Sequence, residues 1–478
     1  MPSLDLSAAC VAALVLVGAV GAGATALSRP RICLAILFLL ASFSRATLET
    51  PLGTMRPEMP AVAVAAILLV ANGRLSSLRG LPRSTVVMSL AFGTFLGVLT
   101  LSSVLMAPGR SQSLHMVAWY ALSMLSGVVA FVLIRLRPAD SIEPFAFGGA
   151  TVGALGVLAA ALFLVAGPGF DLGIQEVNSL QPRVYAVGWE TNLYASFLAM
   201  CAFFALEAAR RNKRAGSVML AFVLIGFPLG ITRGAYIGLA AGALVYLVTL
   251  VAIRQRPIDL ARMGVLAGSL VAVGILASMV MLPNLLERPS GNPQIAVASS
   301  PAPGTSAGQP KTTPKPTPTP TPTPTPAPTL IPTQDTVAFR LERVPVALKD
   351  IPHSPIIGFG AESFGQKHPE RYAGSGPDHL AIMVVSVLYE TGVAGAAALT
   401  IGFLLLFYTL WTSARRSALR LDQRTACTAA AFLAALTSLL VSYQVTTSLQ
   451  FALNWIVIGA AAALTVWDSS AEPTAQRD

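Results

Sequence analysis

The sequence predicts an all-α, polytopic transmembrane helix bundle of about 11–13 spans, with one large extracytoplasmic loop containing an amphipathic helix. Three observations lead there. Of 478 residues, 54% are hydrophobic and 11% charged, where a soluble domain carries about a quarter charged residues. Apolar runs such as Ser7–Leu27, Ser84–Met106, Phe145–Ala166 and Met263–Leu282 can cross a hydrocarbon core of about 30 Å as helices. Helices are required there, because lipid offers no partner to a free backbone N–H or C=O. Finally, the basic residues fall in every second loop.

That third observation sets orientation. Eighteen basic residues cluster at Arg29/Arg31, Arg74/Arg79/Arg83, Arg135/Arg137, Arg210/Arg211/Lys213/Arg214, Arg254/Arg256/Arg262 and Arg415/Arg416/Arg420/Arg424. The intervening short loops hold five, Arg45, Arg56, Arg110, Arg183 and Arg233. An excess of Lys and Arg marks the cytoplasmic side. The net charge of +10 is therefore topology, and no nucleic-acid partner is called for.

Spans are predicted near 5–27, 31–45, 60–73, 84–106, 113–134, 145–166, 186–208, 216–231, 235–253, 263–283, 380–411, 425–444 and 449–467. The first lacks a basic flank and reads as a span rather than a cleaved signal. The second and third are short enough to form a hairpin that crosses only partly. The span at 380–411 is overlong and contains Gly392 and Gly395, so a break or strong tilt is expected. Cys10, Cys33, Cys201 and Cys427 lie in or beside apolar runs and read as small packing residues rather than metal or disulfide partners.

Three regions follow: helices over 1–283, an extracytoplasmic loop over 284–379, and helices with a short cytoplasmic tail over 380–478. Within the loop, 288–333 is rich in Thr, Pro, Ser and Gly, with an unbroken TPTPTPTPTP run at 317–326. It has no apolar content to form a core and reads as an extended spacer. The stretch 335–379 differs. Asp335 can cap a helix running to about Asp350, and Val337, Leu341, Val344, Leu348 and Ile351 form one apolar stripe. Arg340, Arg343 and Ala347 occupy another face. Such a helix should lie along the membrane surface with its arginines toward water or an anionic headgroup.

Ionisable groups in or at the edge of a membrane are costly, which makes them functional candidates. Arg183 precedes a span, and Glu190 and Asn192 are placed one to two turns inside it, with Arg183 and Glu190 seven apart on one helical face. Arg233 occupies a tight turn between two spans. Arg340 and Arg343 lie on the loop helix. His379 sits at the mouth of the span that carries Glu390 about three turns deeper. A lone arginine at an interface commonly snorkels. These four groups, however, share one side of the membrane, and arginine's donor fork suits a lipid-linked phosphate or pyrophosphate. The sequence shows no Cys/His/Asp cluster for a metal.

In order along roughly 183–406, these residues resemble the O-antigen ligase and O-antigen polymerase superfamily of bacterial membrane glycosyltransferases. The matching elements are Arg183 with Asn192, Thr232-Arg233-Gly234, Arg340 or Arg343 with Ala347-Leu348, Pro355-x-x-Gly358-x-Gly360, and His379 with Glu390 and Gly392. The resemblance implies transfer of a glycan from an undecaprenyl-pyrophosphate carrier to an acceptor hydroxyl on a glycan, lipid or protein. The reaction would run at the outer face of a bacterial cytoplasmic membrane, without metal, cofactor or nucleotide sugar. It also implies that Arg183 and Arg233 hold the pyrophosphate, that Arg340 or Arg343 binds the donor, and that His379 activates the acceptor. Leu380 stands where the family often has Asn or Ser, and the Thr/Pro spacer lies outside the family pattern. A transporter or lipid-linked-glycan flippase would predict internal repeats and ionisable groups near the midplane. A metal-dependent transferase would need a carboxylate pair in an early outer loop, where Glu49 and Glu58 are separated.

Overall fold

The structure, a computed structural model, describes residues 6–43, 46–50, 53–136, 141–166, 174–177, 181–186, 191–254, 293–294, 331–332, 341–368, 380, 382–444 and 449–466, with scattered positions over 261–276. Its main helices are α1 (Leu6–Ala26), α2 (Pro30–Ser42), α3 (Glu58–Ala71), α4 (Arg83–Leu105), α5 (Arg110–Leu136), α6 (Glu143–Ala166), α7 (Thr191–Arg211), α8 (Lys213–Gly226) and α9 (Arg233–Ala252). Two loop helices follow, α10 (Arg343–Asp350) and α11 (Ser363–Lys367), and then α12 (Met383–Leu419), α13 (Gln423–Ser442) and α14 (Ala452–Thr465). The protein is a multi-pass membrane protein. Among the described residues eight helices are long and apolar enough to cross, and four shorter apolar helices accompany them. At 13 and 14 residues, α2 and α3 reach only about 20 Å each, short of the roughly 30 Å core. The span expected at 263–283 is described only at scattered helical positions, and the Thr/Pro run lies outside the described residues.

Three two-stranded ladders punctuate the bundle. β1 (Leu48–Thr50) pairs with β2 (Gly53–Met55) between α2 and α3, and β3 (Ile174–Val177) with β4 (Gln181–Val184) before α7. β5 (Pro293–Gln294) pairs with β6 (Ile331–Pro332).

The core forms where aromatic rings from distant helices meet. Phe38 of α2 lies 4.8 Å from Phe145 of α6 and 5.3 Å from Phe197 of α7, and Phe204 lies 4.8 Å from Phe432 of α13. Edge-on and offset contacts of this kind are favourable beyond area burial. Small residues bring other helices close. A Cβ on Gly459 of α14 would sit 1.9 Å from the carbonyl oxygen of Gly127 in α5, so the two backbones touch, as lipid-embedded helices do at small residues. Cys33, Cys201 and Cys427 are buried in this core, and Cys10 is exposed.

One end of the bundle is basic. There Glu207 is wholly buried and receives Arg210 Nε at 2.6 Å and Arg211 Nε at 2.9 Å. Arg211 also bonds the Thr428 hydroxyl and the Arg424 carbonyl, joining α7 to α13. The loop helices lie at the opposite end.

Candidate active site

At the loop end, the long helix α12 is broken where glycine predicts. Gly392 takes φ 59° and ψ −166°, in the region where a side chain is disfavoured. The break opens two helical hydrogen bonds, those from the Val393 and Ala394 amides to the Tyr389 and Glu390 carbonyls. The loop 355–360 fills all four positions. Phe359 N–H donates to Tyr389 O and Gly360 N–H to Glu390 O, both at 2.9 Å. Val393 N–H donates to Pro355 O at 2.8 Å, and Ala394 N–H to Ile356 O at 3.0 Å. Irregular backbone survives at membrane depth only when its polar groups are met in this way. Gly358 (φ 71°) lies so close that a Cβ would come within 2.5 Å of the Glu390, Thr391 and Gly392 backbone. The P-x-x-G-x-G and E-x-G motifs are therefore two halves of one joint.

The Glu390 side chain is buried and accepts from Ser386 Oγ at 3.1 Å. The Glu362 backbone N–H also bonds its carboxylate. Its carbonyl takes a further bond from Ser102 Oγ of α4 at 3.0 Å.

Asp350 closes the joint from outside. One of its oxygens, Oδ2, accepts from His368 Nε2 at 2.7 Å, Tyr389 Oη at 3.0 Å and Lys367 Nζ at 3.1 Å. Partial burial pushes this carboxyl up, but the bonds from His368, Lys367 and Tyr389 outweigh it and hold Asp350 below its ordinary value. An ionised carboxylate only accepts, so His368 Nε2 carries the proton. Beneath lies a small core of Ala347, Phe359, Phe364, Leu380 and Tyr389.

Arg343, the first residue of α10, is 3% exposed. It faces the bundle, whereas the sequence reading put the loop arginines toward water or a headgroup. The apolar Leu341 and Leu348 are instead the exposed residues. The buried stripe is Arg343 and Ala347, because α10 packs on α12.

A second group gathers around α7 and α9. Arg233 is the first residue of α9 and is exposed. It has no hydrogen-bond or ion-pair partner among the described residues. No side chain caps this helix, because the Thr232 hydroxyl turns away to Gly230 O at 3.0 Å and Thr191 O at 3.4 Å. That bond ties the turn to the start of α7, where Asn192 is the second residue and half-buried. Arg183 lies in β4, opposite Gln175, and β4 packs on the turn 227–230. Two expectations are corrected here. Arg183 belongs to a strand, so it shares no helical face with position 190. Asn192 stands in the first turn of its helix, because α7 begins at Thr191 rather than at 186. Glu190, Arg340 and His379 lie outside the described residues. α12 begins between the two groups: Met383 N–H donates to Tyr443 O at 3.3 Å, and Ser442 packs on Gly238 of α9.

Residues 218–400 match the O-antigen ligase family. The O-antigen ligase match begins in α8 and ends in α12, so it takes in Arg233, the loop helices and both glycine motifs, and leaves Arg183 and Asn192 outside. No curated protein matches the chain.

Outside the ligase-matched segment, the structure adds a residue that sequence reasoning treated as an ordinary loop cation. Arg56 is 4% exposed, with its guanidinium carbon 4.1 Å from the Trp119 ring centroid and 4.4 Å from that of Phe451. Burial lowers its pKa from the ordinary value, and the carboxylates of Glu58 and Glu362 work against that. Charge placement alone could not single it out, because its aromatic partners are distant in sequence.

Proposed function

We propose that the chain is a membrane glycosyltransferase that moves a glycan from an undecaprenyl-pyrophosphate carrier to an acceptor hydroxyl, at the outer face of a bacterial cytoplasmic membrane. The observation that carries this reading is Arg233, an exposed cation with no partner among the described residues, at the uncapped N-terminus of α9. Free amides and the helix dipole make such a terminus receptive to an anion, and a guanidinium adds charge-assisted bonds. The family match over 218–400 supports the lipid-linked donor. The alternation of basic loops supports the sidedness, with the basic end cytoplasmic and the 284–379 loop outside.

In this mechanism Arg233 and Arg183 hold the pyrophosphate, with Asn192 beside them. The acceptor oxygen forms a bond to the anomeric carbon as the bond from that carbon to pyrophosphate oxygen breaks. His379 takes the acceptor's proton, and the negative charge leaves on undecaprenyl pyrophosphate, stabilised by the arginines. Of the two loop arginines, Arg340 is the better donor contact, because Arg343 is spent on packing against α12. Glu390 acts through the joint it anchors.

Arg233→Ala and His379→Ala should each lower glycan transfer by about a hundredfold or more at unchanged membrane expression. The measurement is transfer from purified carrier-linked glycan in lipid vesicles. Full activity in both variants would sink the mechanism.

A further inference from the structure

Around Arg56 the loop end holds a second group of buried polar side chains, of which the mechanism above uses only Glu390. Glu58, at the start of α3, is 3% exposed, and among the described residues its Oε2 has no hydrogen-bond partner; Arg56 Nε, in a residue 4% exposed, has none there either. Buried polar groups of this kind are rarely left unmet unless something else meets them. Glu362 joins this pair to Glu390. It lies within electrostatic reach of Arg56, Glu390 and Tyr120, and its backbone sits at φ 52°. A left-handed conformation in a residue other than glycine is strain of the sort held at functional sites.

The chemistry of these groups narrows the ligand. The Trp119 and Phe451 rings lie over the guanidinium, and its N–H donors point out along its own plane. Three carboxyl groups against one guanidinium offer a phosphate little net attraction. A hydroxyl both donates and accepts, and so satisfies a spare N–H and a spare carboxylate oxygen together. We propose that Arg56, Glu58, Glu362 and Glu390 form a subsite for a neutral, hydroxyl-rich saccharide unit. It rests on the glycosyltransferase reading for its role, and either the acceptor's sugar or the donor's first sugar would supply that unit.

The test uses the full chain in lipid nanodiscs, with chitobiose and inorganic pyrophosphate as separate probes of thermal unfolding. Chitobiose raises the melting temperature of the wild type by a few degrees. Glu58→Gln and Arg56→Lys each lose that shift, and any pyrophosphate shift is kept. A wild type indifferent to chitobiose overturns the subsite, as does an undiminished chitobiose shift in both variants. Loss of the pyrophosphate shift in these variants would make the group an anion site and also overturn the subsite. Glu58→Gln keeps shape and volume, so it stands if Arg56→Lys fails to fold. In the transfer reaction, a rise of about tenfold in KM for the acceptor alone assigns the acceptor's sugar, and the same rise for the donor alone assigns the donor's. Both values unchanged overturn the proposal. Loss of pyrophosphate binding in Arg233→Ala, or its absence in the wild type, bears on the glycosyltransferase reading and leaves the chitobiose result to decide the subsite.

Discussion

The turn before α9 and the joint between loop 355–360 and α12 carry the two clearest motifs of the chain, and they treat their polar groups in opposite ways. At the turn, Thr232 spends its hydroxyl on two carbonyls, the helix goes uncapped, and Arg233 stands exposed. At the joint, the amides and carbonyls released by the break at Gly392 are met by loop backbone, and Asp350 gathers three donors on one oxygen. The first arrangement leaves capacity for a ligand. The second uses its capacity up, which fixes loop 355–360 and the end of α11 against α12. Disrupting the two patterns by mutation should therefore cost different things: function at the turn, and shape at the joint.

The largest effect on shape is expected from the glycines of the joint. Gly392→Ala and Gly358→Val each put a Cβ within 2.5 Å of backbone atoms at a positive φ. Strain and overpacking together should cost about 2–4 kcal/mol. The loop would detach and become protease-sensitive near 355–368, and glycan transfer would fall with it. Arg233→Ala gives the contrast, because an exposed side chain with no partner among the described residues should leave thermal stability within about 0.5 kcal/mol of wild type. A joint variant that keeps its melting temperature, or a marked loss in Arg233→Ala, would break the comparison.

Asp350 comes next in size. Asp350→Asn removes the charge that His368 and Lys367 share, and should cost about 1–2 kcal/mol of local stability. It should be read as faster amide exchange across α10 and α11. The sign with pH follows from the depressed carboxyl. Its contribution is full above the ordinary aspartate value near about 4 and fades as pH falls through the lower folded-state value. Protection relative to the intrinsic exchange rate should therefore fall in the wild type only in that acid range, and Asp350→Asn should lose the dependence on this group. A loss of protection that begins near neutral pH would point to another group.

Much of the bundle is readable along the chain, because the bilayer imposes length and apolarity on each helix separately. The span expected at 84–106 is found at 83–105, that at 235–253 at 233–252, and the break in the long helix falls on one of the two expected glycines. The joint itself is not readable. Its bonds connect residues some thirty positions apart through backbone atoms, which leave no mark on side-chain pattern beyond the glycines that permit them. Arg56 is hidden for a similar reason, since its rings come from α5 and from the residue before α14. Arg183, expected just before a span and on one helical face with Glu190, lies in a strand that the sequence hides, because four residues offer too little alternation to compete with the apolar run behind them.

The smallest effect is expected from the Thr/Pro run, which completes the comparison as a segment whose composition offers no apolar residues to build a core. β5 and β6 pair Pro293 with Pro332 and Gln294 with Ile331, so the backbone is already brought together across the whole insertion. Deleting 301–330 leaves the six residues 295–300 to connect Gln294 to Ile331, enough to close a hairpin whose usual loops run to about five. Loop closure entropy changes only slowly with length, at about 0.6 kcal/mol per doubling. Shortening the loop should therefore leave stability unchanged or slightly raised, with transfer intact. Loss of folding in the deletion would mean that the run makes contacts its composition does not foreshadow, and the division of the loop into tether and catalytic half would fall.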